Sequence, residues 1–234
     1  MMVYETCDNC GKRMDESKYN SFGDNVCSKD CNLALISKRR LKSYGFEDEY
    51  KNKTLDLFDF SAIDVPKYNG SFKSEILKYV KNPDRTGWYL NSKVGRGKSH
   101  LALAMTREIV RNFAWRAIII HTVDFMNSLK SLLQHSQDIE GPVHTAKIVT
   151  LLVLDDIGIE MSGDPSKTKF SRDTMFDIID HRCRRDLPMI ITSNFKISEF
   201  PDERIASRLV EKCRVRELIG TDYRIKLNKK LEVV

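Results

Sequence analysis

The sequence has no apolar run long enough to cross a membrane, and no hydrophobic signal-peptide segment follows Met1. It also has no internal repeat and no low-complexity tract. These absences argue against a membrane protein, a secreted protein and a repeat array, so we expect a cytoplasmic globular protein without a membrane partner. Its 234 residues, 41% of them hydrophobic, suffice for one large core and a small appendage.

A large excess of one charge is lacking too. Lysine and arginine number 39, and aspartate and glutamate number 33, which leaves a net charge of +6. This mild basicity is compatible with a nucleic-acid partner but does not require one. A short basic stretch at residues 36–45 has two open interpretations, a nucleic-acid contact or a solvated helix end.

The six cysteines of a cytoplasmic protein favour metal binding or free thiols over disulfides. Residues 1–35 carry too few apolar side chains to fold around a core, and a metal would supply the missing stability. We therefore predict a zinc-binding module over residues 1–40, with reactive or merely buried thiols as the alternative. The predicted Zn²⁺ ligands have a C-x₂-C and C-x₃-C spacing and are Cys7, Cys10, Cys27 and Cys31. Cys183 and Cys213 are predicted to be small buried hydrophobic residues.

A glycine-rich turn lies between a predicted strand at residues 88–90 and a predicted helix at residues 98–113. Its glycines allow backbone N–H groups to turn toward phosphate oxygens, and the helix start adds its positive end. Lys98 would reach the β- and γ-phosphates of ATP, and the Ser99 hydroxyl would ligate Mg²⁺. The alternative is a glycine-rich turn with a surface lysine. The residues predicted to bind the nucleotide here are Ser92, Lys93, Val94, Gly95, Arg96, Gly97, Lys98, Ser99 and His100.

Two carboxylates close a continuous apolar run at residues 148–154, the pattern of a strand buried on both faces of a parallel sheet. Because ligands bind at the carboxyl ends of such strands, Asp155 is predicted to hold Mg²⁺. Asp156 is predicted to orient or deprotonate the attacking water. Asn194 follows the next predicted strand and would hydrogen-bond this water or the γ-phosphate, with a turn-forming asparagine as the open alternative.

Arg204 and Arg208 lie four residues apart on a predicted helix and therefore share one of its faces. An exposed arginine at this place would complete the ATP site of a neighbouring subunit. The alternative is an ordinary surface residue in a salt bridge.

From residue 71 onward, predicted strands and helices alternate, which indicates an α/β fold with a parallel sheet and helices on both faces. The predicted organisation is the zinc module, a linker over residues 41–70 and an ATPase domain over residues 71–234. The strands are predicted at residues 88–90, 117–121, 149–154, 189–192 and 214–218. The helices are predicted at residues 71–81, 98–113, 123–135, 170–184 and 202–212.

Five short motifs carry a family resemblance. The sequence resembles the DnaC/DnaI/IstB group of P-loop AAA+ ATPases over about residues 55–226; these proteins are replicative helicase loaders and transposition helpers. The motifs are Gly-Lys-Ser-His-Leu-Ala at 97–102, Leu-Asp-Asp-Ile-Gly at 154–158, Thr-Ser-Asn at 192–194, Arg-Ile-Ala-Ser-Arg-Leu at 204–209 and Asp-Tyr-Arg at 222–224.

The resemblance implies roles for the residues that match these motifs. Lys98 and Ser99 would belong to Walker A, and Asp155 and Asp156 to Walker B. The remaining implied roles are sensor 1 for Asn194, the arginine finger for Arg208 and a nucleotide-binding, sensor-2-like position for Arg224. The resemblance further implies a homo-oligomer in the ATP state and single-stranded DNA as a partner. A cysteine-bearing N-terminal module is similar to the one with which loaders of the DnaI type hold the helicase.

Three features depart from the family pattern. Ser92 stands where the phosphate-loop pattern has its first glycine. Only ten residues follow Arg224, so we expect a reduced or absent lid domain. Asp156 stands where many AAA+ motors carry glutamate, and its side chain is one methylene shorter, so we expect slow, switch-like hydrolysis.

Together these features predict an Mg²⁺-dependent ATPase that loads a replicative DNA helicase onto single-stranded DNA. Three alternatives remain open at this point. One is an IstB-like transposition helper that acts on duplex DNA, and another is an adaptor that binds ATP with little hydrolysis. The third is a P-loop kinase of a small metabolite, for which acceptor-binding and lid arginines are not evident in the sequence.

Overall fold

The computed structural model describes residues 5–14, 19–21, 23–65 and 71–223. The strands in chain order are β1 (Glu5–Thr6), β2 (Arg13–Met14), β3 (Ile63–Asp64), β4 (Gly87–Asn91), β5 (Ala117–His121), β6 (Leu151–Asp155), β7 (Met189–Ser193), β8 (Cys213–Glu217) and β9 (Ile219–Gly220). The α-helices are α1 (Lys29–Ser43), α2 (Phe72–Lys81), α3 (Lys98–Phe113), α4 (Thr122–Gln134), α5 (Glu140–Ile148), α6 (Pro165–Arg184) and α7 (Glu203–Lys212).

A five-stranded sheet with the order β5-β6-β7-β4-β8 forms the centre of the fold. All of its strand pairs are parallel. Every residue of β4, β6 and β7 is buried, because helices cover both faces of the sheet. This double coverage explains why these strands are continuous apolar runs and do not alternate between polar and apolar residues. The predicted α/β class with a parallel sheet is therefore confirmed.

The helices form one layer on each face of the sheet. α2 and α3 bury residues such as Ile76, Leu101 and Ile109 against one face. α4, α5, α6 and α7 cover the other face, where Met126 and Ile178 belong to the second core. Among the described helices, none has both the length and the apolar composition that crossing a membrane would require.

The segment before β6 differs from the sequence prediction, because it contains the unpredicted helix α5 and β6 begins at Leu151. Gly141 and Pro142 resemble a loop signal, but a proline in the first turn of a helix loses no helical hydrogen bond. The fully buried Arg182 of α6 donates hydrogen bonds to the carbonyl oxygens of Ala146 and Val149, at 2.9 and 2.8 Å. These long-range contacts at the end of α5 have no signature in the local sequence.

Helix α1 joins the N-terminal part of the chain to the ATPase core by packing against α3. The hydroxyl of Tyr44, just after α1, accepts a hydrogen bond from the backbone N–H of Ala117 at 3.1 Å. Arg107 of α3 donates to the backbone carbonyl of Lys51 at 2.9 Å and so holds the following loop. The predicted boundary between residues 40 and 41 lies inside α1, and the division into three domains stays a prediction.

Candidate nucleotide site and cysteine cluster

A cavity of about 660 Å³ opens at the carboxyl ends of β4, β6 and β7. The glycine-rich loop after β4 and the start of α3 form one side of it, and the acidic end of β6 forms another. Ligands bind at this edge of parallel sheets because the strand ends and the helix N-termini converge there. The cavity therefore lies where the sequence predicts the nucleotide.

Gly95 and Gly97 give the loop a conformation that other residues rarely adopt. Their φ angles are +79° and +82°, in the left-handed region. A Cβ atom on Gly95 would lie 2.0 Å from a carboxylate oxygen of Asp222, and one on Gly97 would lie 2.9 Å from the ring of Phe58. Both positions therefore favour glycine for their backbone conformation, and Gly97 also needs it for the space beside the Phe58 ring.

Position 92 does not require glycine, because the φ angle of Ser92 lies outside the left-handed region. It is 4% exposed, and its hydroxyl donates to the carbonyl oxygen of Lys93 at 2.8 Å. Its backbone N–H donates to the carbonyl oxygen of Ser193 on β7 at 3.2 Å. The missing first glycine thus leaves the loop anchored to the sheet.

The ammonium group of Lys98 lies at the base of the loop and is almost fully buried. Its Nζ donates to the carbonyl oxygens of Ser92 and Lys93, at 3.1 and 3.4 Å. It also donates to Oδ1 of Asn194 at 2.9 Å, which joins the loop to the end of β7. A buried cation at this place provides the charge that phosphate oxygens would compensate.

The acidic pair after β6 is held by β7. Oδ1 of Asp155 accepts a hydrogen bond from the Thr192 hydroxyl at 2.6 Å, and the backbone N–H of Asp156 donates to the same hydroxyl oxygen at 2.9 Å. Oδ1 of Asp156 accepts from Nδ2 of Asn194 at 2.5 Å, so one amide connects Lys98 to Asp156. Burial raises the pKa of Asp156, while the Lys98 ammonium opposes this shift.

Sequence reasoning missed three side chains that support the acidic pair. Nδ1 of His121, at the end of β5, lies 3.3 Å from Oδ2 of Asp155. The Thr122 hydroxyl donates to Oε2 of Glu160 at 3.1 Å, and burial raises the pKa of Glu160. The polar residues His121 and Thr122, at and directly after the end of β5, are the sequence signal for these contacts. β5 pairs with β6, so its last residues lie next to Asp155.

The segment predicted as a linker forms an apolar wall of the cavity. Leu57, Phe58 and Ile63 line it from this segment, and Tyr223 lines it from the end of the described chain. Nε2 of His100 lies 2.8 Å from the carbonyl oxygen of Thr54 in the same segment, and burial lowers the pKa of His100. The predicted binding residues Val94, Arg96 and Ser99 also line the cavity.

The predicted finger residue Arg208 does not line this cavity, and its side chain is 40% exposed on α7. It forms salt bridges with Asp180 and Glu211, as the alternative of an ordinary surface residue predicts, and its role as a finger stays a prediction. Arg224 and the predicted reduction of the lid domain concern positions outside the described residues.

The four N-terminal cysteines converge, with their sulfur atoms within 4.8 Å of one another. Sγ of Cys27 lies 3.6 Å from that of Cys10 and 3.5 Å from that of Cys31. Tetrahedral Zn²⁺ with Zn–S bonds of about 2.3 Å separates its sulfur ligands by about 3.8 Å, so this donor set fits the ion. Backbone N–H groups, first that of Cys10, lower the pKa of Cys7 to about 6. The thiolate form that a metal needs is thereby favoured at Cys7.

The other two cysteines lie apart from this cluster. Cys213 is buried, as predicted, and burial raises its pKa. Cys183 is only half-buried, and burial raises its pKa to about 11.

Comparison with known proteins, like the geometry of the cavity, indicates a nucleotide-binding protein. The family described as "IstB-like ATP binding protein" matches residues 31–231. The replicative helicase loader DnaI of Bacillus subtilis is 31% identical over 164 residues, which cover 67% of this chain and 50% of that protein. The replicative helicase loader DnaC of Escherichia coli K12 is 27% identical over 143 residues, which cover 58% of this chain and 56% of that protein.

The solved structures agree with the fold. A crystal structure of the DnaC helicase loader superposes with a TM-score of 0.58 and 25% identity, covering 73% of this chain and 98% of that one. The matched part amounts to about half the length of the two curated relatives. The chain belongs to the family of IstB-like ATP-binding proteins, has an AAA+ fold and is homologous to the DnaI and DnaC helicase loaders.

Proposed function

We propose that this protein is an ATP-dependent loader of a replicative DNA helicase in the initiation of DNA replication, with a cytoplasmic location. The observation that carries the proposal is one cavity in which Lys98, Asn194, Asp155 and Asp156 meet. Its homology to two replicative helicase loaders supports a loader over other P-loop ATPases. The N-terminal cysteine cluster further favours this function over a transposition helper, because the sequence resemblance implies a cysteine-bearing module in loaders of the DnaI type.

Each residue of the site has a distinct task in this proposal. Lys98 and the backbone N–H groups of the loop bind the β- and γ-phosphates of ATP. Ser99 and Asp155 hold Mg²⁺, which neutralises phosphate charge when it is bound. Asp156 accepts a proton from the attacking water, and the Asn194 amide fixes the orientation of its carboxylate. Because Asp156 is short and tied to Asn194, hydrolysis is slow and acts as a switch.

The proposed loading cycle gives a task to the ATPase domain and a task to the zinc module. ATP binding brings subunits side by side, with Arg208 of one at the γ-phosphate of the next. The assembled face holds single-stranded DNA against basic residues, and the zinc module holds the helicase. Hydrolysis then releases the helicase onto the DNA.

Asp156→Asn is expected to lower kcat for ATP hydrolysis by about 100-fold or more, because general-base catalysis contributes 10²- to 10⁴-fold. ATP affinity should stay within about threefold, since the amide has nearly the same shape and contacts the same Asn194. Steady-state phosphate release and calorimetry with ATP measure the two quantities. Asp177→Asn is the matched control, because this exposed carboxylate of α6 pairs with Lys147 and does not line the cavity. An unchanged kcat in Asp156→Asn would exclude Asp156 as the base.

The loader proposal is tested by native mass spectrometry and pull-down with candidate replicative helicases, with ATP and Mg²⁺ present. A complex with a helicase that requires Lys98 and delivers the helicase onto single-stranded DNA supports it. A complex with a transposase on duplex DNA would instead establish an IstB-like helper. ATP binding without measurable hydrolysis, with and without DNA, would identify an adaptor, and phosphate transfer to a small acceptor would identify a kinase.

A further inference from the structure

Two aspartate–arginine pairs connect α6 and α7 on the surface away from the nucleotide cavity. Asp173 pairs with Arg204, and Asp180, seven residues further along α6, pairs with Arg208. Both arginines lie on the same face of α7. The pairs differ in the nitrogen that contacts α6, which is Nη2 in Arg204 and Nε in Arg208.

Arg204 is engaged on several sides. Its Nη2 lies 3.1 Å from Asp173 and 2.8 Å from Asp202, and its Nε donates to Asp202 at 3.2 Å. Its guanidinium also lies 4.8 Å from the centre of the Phe176 ring, within the range of a cation–π contact. Asp202 is at the same time the N-cap of α7. Arg204 therefore serves to attach the start of α7 to α6.

Arg208 is held from one side. Its Nε lies 2.8 Å from Oδ1 of Asp180, and its Nη1 lies 3.2 Å from Glu211. The Asp180 side chain is only 14% exposed, and its other oxygen lies 2.9 Å from Nη2 of Arg184. Among the described residues, the ion pairs of Arg208 use Nε and Nη1, and the side chain remains 40% exposed. Its third nitrogen, Nη2, makes no ion pair with a described residue.

We infer that Asp180 is the positioning residue of the arginine finger. The carboxylate, fixed on the long helix α6, pairs with Nε of Arg208 and so directs the remaining nitrogen, Nη2, toward the γ-phosphate in the neighbouring subunit. An arginine fixed in this way loses less conformational freedom when it contacts phosphate. The inference rests on the proposed function, because it needs Arg208 to act on a second subunit.

The test uses two inactive variants that complement each other. A Lys98→Ala chain binds ATP about 100-fold more weakly, so at ATP concentrations well below its Kd its own site stays empty while it supplies an intact Arg208. An Arg208→Ala chain supplies an intact ATP site. In a mixture of the two variants, ATP hydrolysis can occur only where Arg208 of a Lys98→Ala chain reaches the ATP site of an Arg208→Ala chain. We expect hydrolysis in the mixture and none in either variant alone.

Asp180→Asn is then introduced into one chain of the mixture at a time. In the chain that supplies Arg208, it should lower kcat about tenfold without changing KM for ATP. In the chain that supplies the ATP site, it should change neither. Asp180→Glu in the supplying chain should restore most of kcat, because it keeps the carboxylate. Asp173→Asn is the matched control in the same helix pair and should leave kcat unchanged in either chain.

The outcomes separate the inference from the proposed function. If the mixture of Lys98→Ala and Arg208→Ala shows no hydrolysis, Arg208 does not act between subunits and that part of the proposed function fails. If the mixture is active but Asp180→Asn has no effect, or has the same effect in both chains, Asp180 does not position Arg208. Thermal unfolding of the single variants identifies a merely structural effect, which would also appear in both chains and overturn the inference.

Discussion

Lys98→Ala is expected to lower the affinity for ATP by about 100-fold and to abolish helicase delivery. The ammonium group is almost fully buried at the base of the loop, where it reaches Asn194 and two loop carbonyls. A charge-assisted hydrogen bond to phosphate contributes about 1.5–3 kcal/mol, and each 1.4 kcal/mol corresponds to a tenfold change in affinity. Loss of the Asn194 contact also releases the amide that orients Asp156, so hydrolysis should fall further than binding.

Calorimetry of the folded, zinc-replete protein with ATP and Mg²⁺ measures the first effect, and a helicase-loading assay measures the second. Lys81→Ala is a suitable control, because this substitution also removes one positive charge but does so at an exposed residue at the end of α2. Its affinity for ATP should equal that of the wild type. Helicase delivery by Lys98→Ala at the wild-type rate would contradict an ATP-gated loader.

The local signals in the sequence were sufficient to predict a glycine-rich turn between a strand and a helix. Gly95, Gly97 and Lys98 lie within this single turn, so their spacing alone places all three at the cavity. The position of Asp155 was predictable for a similar reason, because a buried strand that ends in a carboxylate places it at the ligand-binding edge of the sheet.

Contacts between distant segments were not predictable in this way. His121 approaches Asp155 only because β5 pairs with β6, and Phe58 approaches Gly97 only because residues before β4 fold over the loop. The sequence therefore predicts a linker over residues 41–70, although Leu57, Phe58 and Ile63 of this segment line the cavity. The pairing of Asp180 with Arg208 likewise depends on how α6 and α7 pack, which no local pattern specifies.

Cys27→Ser is expected to reduce the zinc content from about one ion per chain to nearly none, and to unfold the N-terminal module. The sulfur of Cys27 lies between those of Cys10 and Cys31, so its loss removes the thiolate that connects both knuckles. Among the described residues before α1, the buried hydrophobic side chains are Cys7 and Val26, too few for a core of their own. Structural Zn²⁺ contributes about 10–16 kcal/mol to the folding of small zinc modules, so a bound Zn²⁺ would dominate the stability of this part of the chain.

ATP binding should survive Cys27→Ser, because the second half of α1 packs on the core through residues such as Leu41 and Tyr44, away from the cluster. Zinc content by atomic absorption, limited proteolysis and calorimetry with ATP measure the three properties in one preparation. Cys183→Ser is the matched control, since this cysteine belongs to the ATPase core and should keep the full zinc content. Loss of helicase binding with retained ATP binding would assign the helicase contact to the zinc module. Equal zinc content in Cys27→Ser and the wild type would instead exclude the four-cysteine site.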